Sequence, residues 1–178
     1  MKFGALPLVE AQGAALAHSI VLPGRGLKKG SVLNGDDIAA LKAAGITSVI
    51  AAKLEPGDIG ENPAAAMIAE GLAALGVEIG PAFTGRANVY AQSLGLCVVD
   101  RDAVDAVNLV DEAVTLSTVE PYTVVAPKQM VATVKIIPFA VHGDVVAACA
   151  AKARAAKPFH VVPFQQKRVA LIQTRLPG

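Results

Sequence analysis

Apolar residues make up 53% of this chain and give it a mean hydropathy of +0.50, yet they come in short runs broken by charges, glycines and prolines. A membrane-crossing helix needs about 20 consecutive, mostly apolar residues. These runs must instead bury one another, as strands and helices that each hide one face in a packed domain. At 178 residues the chain is long enough to do this without disulfide or metal support, as one ordinary domain or two small ones. The N-terminus does not read as a signal peptide. Lys2 is its only early base, and Pro7, Glu10 and Gln12 interrupt the apolar segment such a peptide requires. The expectation is a cytoplasmic chain with no membrane contact.

Charge narrows the partners. Sixteen Lys and Arg stand against 15 Asp and Glu, a formal net charge of +1, with no block of one sign. Aromatic residues are 4% of the chain and Trp is absent, so the stacking platform of a single-strand binder is missing as well. The composition therefore argues against nucleic acid and for a small molecule or a protein partner. Cys97 and Cys149 sit in the apolar contexts LGLCVVD and VVAACAAK, which suit small buried side chains better than a redox pair.

The pattern predicts a mixed α+β organisation, an α/β chain with a small barrel-like β region followed by alternating strand and helix units. Ala14 to Val21 reads as a strand that runs into the turn-rich PGRGLKKG. Asn34 should cap a helix with Asp36 and Asp37 in its first turn, Ile38 and Leu41 inward, and Gly45 at its end. Ile46 to Leu54 follows as a strand, then an Glu55-Pro56-Gly57-Asp58 turn. A second helix is expected with Asn62 as cap, Pro63 as first residue, Met67, Ile68, Leu72 and Leu75 as its buried stripe and Gly76 as its stop. Strands near Val77 to Ile79 and Leu96 to Val99 flank the loop PAFTGRAN, and a helix opens after Asp100 with Val104, Val107 and Val110 inward. TLSTV, YTVV and MVATVKII should pair as one antiparallel sheet, before a helix from about Gly143 to Ala156 and a strand from Phe159 to Val162. The run RVALIQT, Arg168 to Thr174, has the pattern of a buried parallel strand whose helix is missing. This divides the chain into an N-terminal region, 1–165, open to division into two subdomains, and 166–178 as the opening strand of a further, truncated domain.

Most candidate motifs are weak. Gly24, Gly26 and Gly30 lack the order of a phosphate loop, whose Lys follows the last Gly, and read as a hairpin turn. His18, His142 and His160 share no zinc-site spacing, and Glu55, Asp58 and Glu61 look like turn and cap carboxylates, so no metal site is assigned. No serine lies in a nucleophile elbow, and no catalytic residue is assigned. Two segments stand out. Thr84, Gly85, Arg86 and Asn88 place a hydroxyl, a backbone amide, a guanidinium and a carboxamide in one short stretch, the parts of an oxyanion or phosphate clamp, although an ordinary turn with a surface Arg has the same composition. Lys135 interrupts the apolar strand MVATVKII, so its ammonium either reaches solvent or points at something acidic.

The strings HSIVLPGRGLKKGSVL, LKAAGITSVIAAKLEPGD, TGRANVYAQSLGL, TLSTV and MVATVKIIPFAV, in that order, resemble the amino-terminal region of bifunctional molybdopterin-binding proteins with a cytidylyltransferase-like end. The resemblance runs from about Phe3 to Thr174. It implies that this region precedes a molybdopterin-binding domain similar to that of molybdopterin molybdotransferase and gephyrin, and then a nucleotidyltransferase domain. On that reading Arg168 to Thr174 is the first strand of the molybdopterin-binding domain. The parent protein would be a molybdenum cofactor nucleotidyltransferase, while this chain holds neither catalytic site and needs no cofactor of its own. The implied ligand is molybdopterin or molybdenum cofactor as bound substrate, a phosphorylated pterin. A molybdoenzyme client and a homo-oligomer are further partners left open. No role is carried from the family onto Thr84, Gly85, Arg86, Asn88 or Lys135, whose candidacy rests on their chemistry.

Three functions stay open on sequence. One is an accessory domain that closes over a molybdopterin phosphate. Another is a structural module whose apolar strand edges join subunits. The third is an unrelated small-ligand-binding domain, since KKGSVLNGDDI also looks like the small sugar-acid and antifreeze-like barrel domains.

Overall fold

The chain is described by a computed structural model over residues 1–175. Strands β1 (Lys2–Pro7), β2 (Ala15–Leu16), β3 (Ile20–Leu22) and β4 (Arg25–Leu27) lead into helix α1 (Gly35–Ala43) and strand β5 (Ser48–Lys53). They form a three-stranded sheet in the order β1-β5-β2 and a separate β3-β4 hairpin, and neither sheet closes into a barrel. The strand expected from Ala14 to Val21 is thus two short strands broken at Ala17-His18-Ser19. Helix α1 starts where its cap chemistry says it should. Asn34 Oδ1 accepts from the Asp37 amide at 2.9 Å, and Asp37 Oδ2 accepts from the Asn34 amide at 3.0 Å. Leu6, Leu16, Leu33, Leu41 and Val49 are the buried centre of this first unit.

A second, larger cluster belongs to the rest of the chain. It is built from β6 (Asp58–Gly60), α2 (Glu61–Glu70), β7 (Val77–Ile79), β8 (Arg86–Ala91), β9 (Gly95–Val99), α3 (Arg101–Asn108), β10 (Val114–Thr118), β11 (Thr123–Val125), β12 (Met130–Ile136), β13 (Ala140–His142), α4 (Gly143–Ala156) and β14 (Phe159–Pro163). The strands make a four-stranded sheet β10-β12-β8-β7, a three-stranded sheet β11-β9-β14 and a β6-β13 pair. Every pairing is antiparallel. Strand-helix alternation here gives a mixed α+β fold without parallel crossovers, because each helix of this unit carries the chain from one sheet to another. Helix α2 links β6 to β7, α3 links β9 to β10, and α4 links β13 to β14.

Helix α2 packs Ala64, Ala65, Ile68 and Ala69 against Ala87 and Val89 of β8 and Val134 and Ile136 of β12. Small side chains bring the helices close. A Cβ on Gly71 would lie 2.6 Å from the Ala150 carbonyl oxygen of α4. The stripe expected on α2 is correct at Ile68 and Leu72, but Met67 and Leu75 are exposed, at 41% and 68%. The buried face of α2 is the Ala64, Ala65, Ile68 and Ala69 stripe, which leaves Met67 off it; the helix is capped by Gly60 and not by Asn62, and it ends at Glu70, so Leu75 lies beyond it.

Three further expectations change. TLSTV and MVATVKI pair as β10 and β12, but YTVV joins the other sheet as β11 beside β9. The turn at Glu120-Pro121 ends in Tyr122 at φ 62, whose amide donates to the Cys97 carbonyl at 2.8 Å and redirects the chain. The short pair β6-β13 has too little periodicity to show in the sequence. Arg168 to Thr174 forms no strand and is exposed, because an apolar run becomes a strand only where a sheet edge takes up its backbone groups, and no described residue pairs with it. Residues 176–178 of the expected C-terminal segment lie outside the described residues. No helix among the described residues is long and apolar enough to cross a membrane.

Candidate functional site

The four-stranded sheet buries one face under α2 and leaves the other open, so its strands alternate inward Ala or Val with outward polar residues. On β8 the outward positions are Arg86, Asn88 and Tyr90, and on β12 they are Thr133 and Lys135. The register places Lys135 directly opposite Arg86 and Thr133 opposite Asn88. Directly opposed residues of an antiparallel pair share one face, with Cβ atoms about 4.5–5.5 Å apart, and like charges there repel. Two bases that sequence reasoning drew from segments about fifty residues apart are therefore cross-strand neighbours.

They line a cleft of about 540 Å³ together with Lys29, Gly30, Glu61, Thr84 and the segment Ile136–Phe139. Its walls come from both units. Lys29 and Gly30 follow the β3-β4 hairpin of the first unit, and the remainder belongs to the second. The units meet beside it: the Phe3 and Phe139 rings stack with centroids 5.9 Å apart, and Lys29 Nζ lies 5.8 Å from the Phe139 centroid. Three bases face one carboxylate in this space. Among the described residues none of Lys29, Arg86, Lys135 and Glu61 forms an ion pair.

The remaining candidates separate. Thr84 lines the cleft, held at φ 49 in a left-handed conformation that β-branched residues rarely adopt. With Gly85 at φ 70 it makes a two-residue turn closed by Phe83 and Arg86, each amide donating to the other's carbonyl, at 2.8 and 3.1 Å. The expected loop therefore ends at Gly85, and Arg86 and Asn88 are strand residues. The Gly85 amide is not offered to a ligand, since it donates to Asn62 Oδ1 at 2.8 Å. Gly85 serves close packing instead: a Cβ there would sit 2.7 Å from Glu61 Oε2. Asn88 is held in the sheet, accepting from Thr133 Oγ1 at 2.8 Å and donating to the Tyr90 hydroxyl at 3.1 Å, and it does not line the cleft.

Lys29, Glu61 and Phe139 are the residues that sequence reasoning did not assign to the site. Their link is tertiary. The β6-β13 pair lays Phe139 beside the start of α2, and the Glu61 amide donates to the Phe139 carbonyl at 3.0 Å. The other acidic residues of that stretch have a different role. Glu55 Oε2 and Asp58 Oδ2 each lie 2.7 Å from the Met1 amine. This pairing raises the amine's pKa, mainly through Asp58, and holds the Asp58 carboxyl below its usual value, mainly through the amine. Both cysteines are buried and free, and burial pushes each thiol's pKa up, which keeps them in the unreactive thiol form.

Residues 5–53 match the family model of a domain of unknown function, DUF8806. The matched span coincides with most of the first unit, β1 through β5, and so supplies Lys29 and Gly30 to the cleft. No curated protein and no solved structure matches the chain.

Proposed function

We propose that this chain is a ligand-binding accessory region that holds the phosphate of a small phosphorylated molecule in the cleft between its two units. The observation that carries this reading is the cross-strand pair Arg86 and Lys135, joined in one cleft by Lys29. Like charges in opposed sheet positions cost stability, and a bound dianion reverses that cost. The Arg86 guanidinium offers a planar pair of donors, the two ammonium groups add point charges, and the Thr84 hydroxyl adds a neutral donor. No catalytic residue is assigned.

The order of the five sequence strings supports a phosphorylated pterin, in molybdenum cofactor biosynthesis, as the molecule. On this proposal the chain serves a molybdopterin-binding, nucleotidyltransferase-like protein, and the transfer chemistry belongs to domains other than these. The test is the affinity of the chain for a pterin phosphomonoester, followed by pterin fluorescence. A charge-assisted hydrogen bond contributes about 1.5–3 kcal/mol, so Arg86→Ala should weaken binding roughly tenfold to a hundredfold. Arg101→Ala is the control, because Arg101 pairs on the surface with Glu120 at 3.1 Å and lines no part of this cleft. Equal affinities for the two variants would return Arg86 to an ordinary surface residue.

A further inference from the structure

Resting on the proposed phosphate site, we infer that Glu61 selects the ligand's other end, so that the cleft takes a phosphorylated heterocycle with adjacent N–H donors in preference to a bare anion. A pocket made for an anion alone gains nothing from a carboxylate, which repels the same charge that three bases attract. Glu61 nevertheless lines the cleft with Arg86, Lys135 and Lys29.

The fold sets its backbone position. The Glu61 amide is tied to the Phe139 carbonyl at 3.0 Å, and its carboxylate lies over Gly85, whose missing side chain leaves it room, since an added Cβ would come within 2.7 Å of Oε2. Gly85 in turn is fixed by the positive-φ turn and by its bond to Asn62. The carboxylate thus rests at the turn end of the cleft, and among the described residues its side chain has no hydrogen bond or ion pair. An ionised carboxylate accepts only, and two oxygens side by side match two neighbouring N–H groups, such as a ring N–H beside an exocyclic amine. Phosphate at the bases and such an edge at Glu61 would leave each charged group of the cleft with a partner.

The experiment compares inorganic phosphate with a pterin phosphomonoester, which carries the same anion on a ring with that donor edge, for the wild-type chain and for Glu61→Gln. The wild-type chain should bind the phosphopterin at least tenfold more tightly than phosphate. In Glu61→Gln, phosphate binding should hold or improve, since a negative charge is gone, and phosphopterin binding should fall about tenfold. Phosphate and phosphopterin bound equally by the wild-type chain, or both tightened alike by the substitution, would overturn the role of Glu61 and leave the phosphate site standing. If the wild-type chain binds neither probe, the phosphate site and the Glu61 inference fall together. Thermal unfolding of Glu61→Gln separates loss of contact from loss of fold.

Discussion

Arg86 of β8 and Lys135 of β12 are directly opposed in an antiparallel ladder, two bases on one face with no acidic partner between them. Such a pair destabilises the ligand-free sheet, on the order of 0.2–1 kcal/mol. Lys135→Gln should therefore raise the melting temperature of the ligand-free protein slightly while weakening its hold on a phosphopterin. At saturating ligand the order should invert, because tighter binding stabilises the native state by mass action. Melting curves of both proteins with and without ligand check this. A less stable ligand-free Lys135→Gln would show that the two bases do not strain the ladder.

Much of the fold was legible where the signal is local. Asn34 and Asp37 announced α1, Asp100 announced α3, whose first turn it caps through the Ala103 amide at 3.1 Å, and the span of α4 followed from Asp144 at one end and Arg154 near the other. The missing information is pairing. Nothing local in YTVV says that its partner is β9, nor in residues 58–60 that theirs is β13, because a strand's choice of neighbour is decided by tertiary packing. The site followed the same division. Thr84, Arg86 and Lys135 were legible as unexplained polar groups beside apolar runs, whereas Asn88 looked available only because Thr133 and Tyr90 are distant in sequence or hidden by strand geometry. Lys29 and Glu61 were read as turn and cap residues; Glu61 is the first residue of α2, after the Gly60 cap, and only the meeting of the two units makes both of them cleft residues.

Asp37 is the one buried charged side chain of the described core, at 5% exposure, and it serves two partners. One oxygen takes the Asn34 amide of the α1 cap, and the other pairs with Arg25 of the β3-β4 hairpin. Asp37→Ala removes both and should cost about 2–3 kcal/mol, the loss of the reciprocal arm of the capping box plus a partly buried ion pair. Asp37→Asn keeps acceptor capacity for the cap and should cost less. Urea denaturation of the two variants tests the ranking. Equal losses would assign the whole effect to the charge.

The Met1 amine joins the first unit to the start of the second through Glu55 and Asp58. Its pKa is raised, so its contribution is complete below its ordinary value of about 8 and is lost as pH rises through the raised value. The Asp58 pKa is lowered, so its contribution is present above about 4 and is lost as pH falls through the lowered value. Between those limits the clip is intact. N-terminal acetylation should therefore lower the melting temperature at neutral pH and converge with the unmodified protein in strong acid and in alkali. A difference that does not change with pH would mean that acetylation acts by something other than this ion pair.

Thr84 occupies a left-handed conformation at φ 49 beside Gly85 at φ 70, inside a two-residue turn that favours Asn-Gly. An L residue there costs about 1–2 kcal/mol, and branching at Cβ makes Thr a poor choice. Strain kept on the wall of a cleft points to use of the side chain, here its hydroxyl. Thr84→Asn should stabilise the chain by about 1 kcal/mol, since Asn tolerates this conformation. Thr84→Ala keeps most of the strain and removes the hydroxyl, so it should leave stability nearly unchanged. Phosphopterin affinity should drop a few-fold in Thr84→Ala, the size of one neutral hydrogen bond at about 0.5–1.5 kcal/mol. Melting and binding measured on both variants separate the two effects. A stabilised Thr84→Asn together with an unaltered affinity in Thr84→Ala would show that the strain is real but that the hydroxyl faces solvent.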